Sequence, residues 1–409
     1  MNRHNRHIKT GIPLYYDQMN LIRPASRTTL AVLLVGVLSP LSFESSATAS
    51  VKTPESLRWP VAGDSSALVA TAQSHLAVGT DAGMDIWSAT SEAQPVGPRS
   101  GVQVEIYDIN WSSNGRYLAW IQAPHSANST SPQLVEYDLT TKRYEVWTSN
   151  NPFSGLVPGP EGIVASDLSG TDLRQFKVNF ASPKVIKLPV SAFTTLSAYG
   201  AGFLANEFSF PSSGPTGKAS PIARVSVAGV VSSTRVALPA IPNVSSPGFE
   251  ITTASANGDL EGAELGDHTD ICGVGPSSVI YIANTLTGRV TWQGPPAPRA
   301  KGSVLRVQSL AFSPGGVLDA TMLNCDATFG AGLSTSLWEN TGRGWHQIGS
   351  GVLSAARGPG GVLATVSGYL AFQHSASFPT PIPAGAQRLY IGGKWIPLGA
   401  RAHEIAWSP

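Results

Sequence analysis

A glycine-centred turn returns at intervals along this chain, and that recurrence restricts the fold more than any other feature. The clearest copy lies within Ile106–Gln122 (IYDINWSSNGRYLAWIQ). In Asp108–Ser112, Ile109 and Trp111 alternate with polar neighbours, the period-two signal of a half-buried strand. Asn114-Gly115 follows, a dipeptide suited to the positive φ at both central positions of a type I′ hairpin turn. Tyr117–Ile121 then forms a continuous apolar run, as expected of a strand covered on both faces. Ser112–Ala119 (SSNGRYLA) has weaker counterparts in GPEGIVAS, YGAGFLAN, SANGDLEG, SPGGVLDA and GPGGVLAT. Their glycines are Gly115, Gly162, Gly202, Gly258, Gly316 and Gly361, separated by 47, 40, 56, 58 and 45 positions. Strand-built units recurring at about 40–50 residues predict a ring of blades rather than a helical solenoid.

Two end pieces extend the series. Leu68–Thr80 (LVATAQSHLAVGT) reads as a degenerate copy with Gln73-Ser74 at its turn. His403–Pro409 (HEIAWSP) matches Ser309–Pro314 (SLAFSP) and Ile109–Ser113, but stops before a second strand. A lone innermost strand at the C-terminus can complete the first blade and leave no sheet edge open. The expected fold is therefore an all-β propeller over residues 67–409, with seven blades and six or eight as alternatives. Ring closure is expected from residues 403–409 pairing with Leu76–Gly79.

These motifs resemble a known repeat. S-P-x-G or S-x-N-G before an apolar run, followed by a strand and turn such as Val135–Arg143 (VEYDLTTKR), is similar to the TolB-type β-propeller repeat. That family usually places Asp before the turn glycine, where this chain has Asn, Glu, Ala or Gly. The resemblance implies a propeller and, as one reading, a part in assembling an envelope machine.

Residues 1–49 read as a signal peptide. Arg23 and Arg27 precede the apolar run Leu30–Leu38, which is short for a bilayer span, and Ala47-Thr48-Ala49 supplies an A-x-A cleavage signal. A start at Met19 gives the leader ordinary proportions; an uncleaved anchor is the alternative. Residues 50–66, with Pro54, Pro60 and Gly63, read as a lead-in strap. An exported protein, secreted or held in the cell envelope, is expected, with no stable membrane insertion after cleavage. Residues 1–49 hold five of the 27 basic and two of the 26 acidic side chains, so the remainder carries a small negative excess. That disfavours nucleic acid and anionic membrane as partners, since both require positive charge. Charged residues make up only 13% of the chain, about half the usual share. Such a surface suits export and acidic surroundings.

Outer strands are expected at 84–88, 133–139, 144–148, 223–227, 279–284, 290–293, 336–340, 345–348, 388–391 and 394–398. Trp87, Trp147, Trp292, Trp338, Trp345 and Trp395 are expected in the cores between blades. Longer Ser/Pro/Gly-rich loops fall at 124–132, 210–221, 266–276, 294–302, 328–335 and 375–387, and are expected on one face. Cys272 and Cys325 follow the second strands of consecutive blades, which predicts one disulfide in an exported protein, with two free thiols as the alternative.

No G-x-S-x-G elbow, Walker loop or H-E-x-x-H appears in the sequence. The densest polar cluster is Asp259–Asp270 (DLEGAELGDHTD), within which Asp267, His268 and Asp270 are weak candidates for a hard cation or an acid–base pair. A solvated loop is the stronger reading, and no cofactor is expected. His75, His125, His346, His374 and His403 are scattered. The leading functional expectation is a monomeric, non-catalytic binding or scaffold module that recognises a protein or cell-envelope glycan. The alternative is an enzyme acting on a glycan or lactone, its site drawn from several blades at the central funnel.

Overall fold

The computed structural model describes residues 74–409 apart from 89–92, 100, 102, 125–130, 151, 168–171, 178–181, 189–192, 208–218, 238–247, 267–277, 298–303, 326–333 and 375–378. The leader and strap assigned to residues 1–66 lie outside the described residues. Among the described residues, twenty-eight strands form seven four-stranded antiparallel sheets. The first blade holds β1 (His75–Thr80), β2 (Gly83–Ser88) and β3 (Gln94–Val96), completed by β28 (Ala402–Trp407). The second runs β4 (Val104–Trp111), β5 (Tyr117–Pro124), β6 (Gln133–Asp138) and β7 (Arg143–Thr148); the third, β8 (Phe153–Val157), β9 (Ile163–Asp167), β10 (Asp172–Phe176) and β11 (Lys184–Lys187). The fourth comprises β12 (Phe193–Tyr199), β13 (Gly202–Glu207), β14 (Ala219–Ser226) and β15 (Val231–Ala237); the fifth, β16 (Gly248–Ala254), β17 (Leu260–Gly266), β18 (Val279–Asn284) and β19 (Val290–Gly294). The sixth has β20 (Val304–Phe312), β21 (Leu318–Cys325), β22 (Ser334–Asn340) and β23 (Trp345–Ser350); the seventh, β24 (Val352–Arg357), β25 (Leu363–His374), β26 (Pro379–Ile391) and β27 (Lys394–Pro397). The inner strands β4, β8, β12, β16, β20, β24 and β28 touch in succession and return to β4, so the sheets form a closed ring.

The core of such a ring is divided. Among the described residues, seven buried apolar clusters occupy the seven seams between neighbouring blades. Trp87 and Trp345 are buried in these seams, and Trp147, Trp292 and Trp338 pack against them. Trp395 stacks on Tyr390 with ring centroids 5.1 Å apart. Of the expected outer strands, all ten coincide with β2, β6, β7, β14, β18, β19, β22, β23, β26 and β27, within a few residues or as part of a longer strand.

Closure follows the expected pairing, with Leu76 opposite Trp407, Ala77 opposite Ala406, Val78 opposite Ile405 and Gly79 opposite Glu404. Its chemistry copies a turn. Within the second blade the Ser112 amide donates to the Tyr117 carbonyl (2.8 Å), and the Tyr117 amide donates back to the Ser112 hydroxyl (2.9 Å). Ser255 and Leu260 make the same exchange, as do Ser313 and Val317. In the first blade Ser408 and His75 repeat it across the two ends of the chain, at 2.8 and 2.9 Å. Two indoles reinforce the closure: Trp407 Nε1 donates to the Ala356 carbonyl of the seventh blade, and Trp111 Nε1 to the Ala406 carbonyl of the first, each at 3.1 Å.

The turn at Asn114-Gly115 differs from the type I′ expectation. The Gly115 amide donates to the Ser112 carbonyl, and of the two residues only Gly115 has positive φ (68°). Asn114 is held otherwise by its side chain, whose oxygen accepts from the Ser112 hydroxyl and the Arg116 amide. An Asx-type bond of this kind favours a four-residue connection with one left-handed glycine.

Candidate functional site

Antiparallel order fixes which end of a blade each connection leaves. Connections from first to second and from third to fourth strands share one end of the ring, and the others share the opposite end. On the first end no connection is longer than residues 177–183. All six loops singled out in the sequence leave from the second. There β25 and β26 also continue past a register shift at Ser367–Tyr369 into an extended hairpin.

The short-turn end is tied across the axis. The Ser113 amide of the second blade donates to the Gly200 carbonyl of the fourth, and the Gly200 amide to the Ala256 carbonyl of the fifth, each at 3.2 Å. A Cβ at Gly200 would fall 2.8–2.9 Å from Ser113, so this approach requires glycine. The third blade's turn is bypassed. This end is therefore tied across, while the long connections leave from the other.

On the loop end, a described cluster of titratable groups sits where the first and second blades meet. Asp81 lies in the short turn between β1 and β2, Arg401 just before β28, His403 within β28, and Glu105 near the start of β4. His403 Nε2 and Asp81 Oδ1 are 2.6 Å apart, and Arg401 Nη2 reaches the same oxygen at 3.4 Å. The backbone carries the clasp as well: the Asp81 amide donates to the Arg401 carbonyl, and the Val104 amide to the Asp81 carbonyl. Burial pushes the Asp81 carboxyl up, but the bonds and charges of His403 and Arg401 outweigh it and hold the group below the usual carboxylate value. Glu105 behaves oppositely, because its burial outweighs the same two cations and raises it. One carboxyl is thus kept ionised and its neighbour is pushed towards the neutral acid.

Glu404 of β28 serves a structural purpose beside them. Asp108 adopts a left-handed φ of 54° inside a bulge of β4, and the displaced Ile109 amide donates to Glu404 Oε2 at 3.2 Å. Buried acids lie in other seams as well. Glu136 accepts the Gly159 amide (3.0 Å) across the seam of the second and third blades. Between the fourth and fifth blades, Glu261 accepts from Asn206 and Tyr281. Asp319 is clamped by Arg357, two bonds of 3.0 Å each, between the sixth and seventh.

Asp267, His268 and Asp270, together with Cys272, lie outside the described residues, on the connection leaving β17 at the loop end. Cys325 closes β21, with its backbone opposite Val304. Among the described residues no group of three or more His, Cys, Asp or Glu is placed to hold a metal ion. Among the same residues no helix is long and apolar enough to cross a membrane. Sequence reading named His403 but not Asp81, Glu105 or Arg401. These groups stand some 300 positions apart in the chain, and only ring closure brings them together.

No protein-family model matches the chain, and no curated relative matches it. Solved structures are similar to the chain at low identity. An oligogalacturonate lyase in complex with manganese is 12% identical, with a TM-score of 0.44 over 73% of this chain and 78% of that one. A prolyl endopeptidase is 11% identical, with a TM-score of 0.42 over 78% and 46%. A chain of the mitotic checkpoint complex is 13% identical, with a TM-score of 0.41 over 82% and 95%. Likenesses this remote concern the architecture and carry no argument about ligand or activity.

Proposed function

We propose that this chain is an exported propeller that binds a protein or glycan of the cell envelope through its loop-bearing end, without catalysing a reaction. The observation behind this reading is the asymmetry of the two ends, one tied across and confined to short turns, the other carrying every long connection. A closed ring whose long connections all leave one end is suited to binding there. The TolB-type character of the repeat, and with it a place in an envelope assembly, belongs to the same proposal. The test uses protein beginning at Ser50, applied to purified peptidoglycan and to a glycan array. A companion variant has residues 208–218 replaced by a short Gly-Ser linker. Binding that is lost in the variant at unchanged melting temperature supports the reading; binding that survives loop replacement but is lost on altering the Asn114 turn overturns it.

A second reading, an enzyme acting on a glycan or lactone, is favoured by the Asp81–Glu105 pair, whose environments push two carboxyls apart as acid–base chemistry requires. Turnover of any such substrate, abolished by both Asp81→Asn and Glu105→Gln, would replace the first reading with this one.

A further inference from the structure

The seams between blades are filled chiefly by aliphatic side chains, and one seam departs from that rule at a position the repeat defines. After the residue that answers the turn serine (Tyr117, Leu260 or Val317), the next residue points into the preceding seam. It is Leu118 in the second blade and Leu318 in the sixth, both fully buried there. In the fifth blade it is Glu261, only 1% exposed against the fourth.

Among the described residues, the groups hydrogen-bonded to its carboxyl are neutral. Asn206 Nδ2 donates to Oε1, and the Tyr281 hydroxyl lies on Oε2, each at 2.8 Å. Arg224 on β14 is engaged by the Asp259 carboxylate (2.9 Å) and by the Gly258 and Asn257 carbonyls. From β13 the facing group is Asn206 and from β18 it is Tyr281. Glu264, three positions further along β17, lies on the opposite face of the strand. A carboxylate enclosed in this way, with two neutral donors and no cation beside it, is strongly disfavoured against the protonated acid.

We propose that the seam between the fourth and fifth blades is a protonation-dependent joint, closed while Glu261 carries a proton and loosened once the carboxyl ionises. Burial pushes the Glu261 carboxyl up to about 7, the bonds from Tyr281 and Asn206 offsetting only part of that rise. Tyr281 is itself raised by burial and by Glu261, so it keeps its proton throughout. The folded chain therefore holds this proton more firmly than the unfolded one. The contribution to stability is complete below the ordinary glutamate value of 4.5, declines as pH rises, and is gone once pH passes about 7. Within that window one group changes the unfolding constant by up to about tenfold per pH unit. Such a joint suits a protein working in acid and loosens as the surroundings approach neutrality.

The test follows the unfolding midpoint of the full chain from pH 4.5 to 8 for wild type, Glu261→Gln and Glu136→Gln. The amide introduced by Glu261→Gln has the shape of the protonated acid and stays neutral at every pH. The expected result is a wild type that weakens with rising pH and a Glu261→Gln variant with a flatter profile that becomes the more stable of the two by pH 8. Glu136→Gln separates the parallel effect of the other seam glutamate, which burial also raises to about 7. A second measurement needs no folded variant: infrared titration of wild type should show a buried protonated carboxyl that ionises near neutrality. Parallel profiles for wild type and Glu261→Gln, or the absence of a protonated carboxyl at pH 6, would overturn the proposal.

Discussion

The first and second blades are built alike and held together differently. In the second, inner and next strands are joined by the covalent turn from Ser112 to Tyr117. In the first, the same two strands come from opposite ends of the chain, and Ser408 and His75 exchange the bonds that Ser112 and Tyr117 exchange. Both blades set an indole from the inner strand onto a carbonyl of the preceding blade. The comparison teaches that this turn contributes local hydrogen bonding rather than blade identity. What defines the blade is the strand pairing and the seam it fills, so a peptide link can be omitted if the serine and tryptophan are kept.

The largest expected effect comes from deleting residues 402–409. That removes the inner strand of the first blade, uncovers the inner edge of β1 and deprives the seventh-blade seam of Ile405 and Trp407. The truncated chain should lose its single cooperative thermal transition in near-ultraviolet circular dichroism. Next come Trp407→Ala and Trp111→Ala, each expected to cost about 3–5 kcal/mol in denaturant unfolding, as for other buried aromatic residues. If the blades are equivalent the two losses should agree, and a far smaller loss for Trp407 would break the parallel.

A difference of about 1 kcal/mol is expected for Asp81→Asn at neutral pH, since it removes a half-buried clasp that the second blade lacks. Because the Asp81 carboxyl is held below its ordinary 3.8, its contribution is present above that value and lost as pH falls through the lowered one. Wild type and variant should therefore converge in strong acid, the reverse of the Glu261 profile. The smallest effects belong to Ser408→Ala and Ser112→Ala, about 1 kcal/mol each for a lost hydrogen bond. Unequal values would show that closure leans on its serine more heavily than a covalent turn does.

The ring was legible in the sequence because its turns carry their own chemistry. Ser, Asn and Gly at Ser112–Gly115 and Ser255–Gly258 hold their hydrogen bonds locally, so the pattern survives wherever the motif does. The fourth blade blurs it: Gly202 already lies in β13, and the turn is made by Gly200 and Ala201, without the serine of the clearer copies. Aligning repeats by glycine also hides the position of Glu261. Gly258 and Gly316 coincide, but the serine is answered five residues later in the fifth blade and four in the sixth. Such an alignment pairs Asp319 with Glu261, yet Asp319 faces Arg357 in the following seam. A one-residue difference in a turn sends the side chain to the other face of its strand. The Asp81 clasp left no linear trace at all, because its members meet only after the ring closes.

Closure by β28 is the proposition on which the two-blade comparison and the clasp both rest, and amide hydrogen exchange on the intact protein addresses it directly. Ser408 and His75 form a bonded pair, so the alternation of the ladder places the Ala406 and Glu404 amides on β1; these two should exchange as slowly as the amides of Ile121 and Leu118, through the same global unfolding. Exchange of the terminal strand orders of magnitude faster than β5, with the other blades still protected, would contradict it.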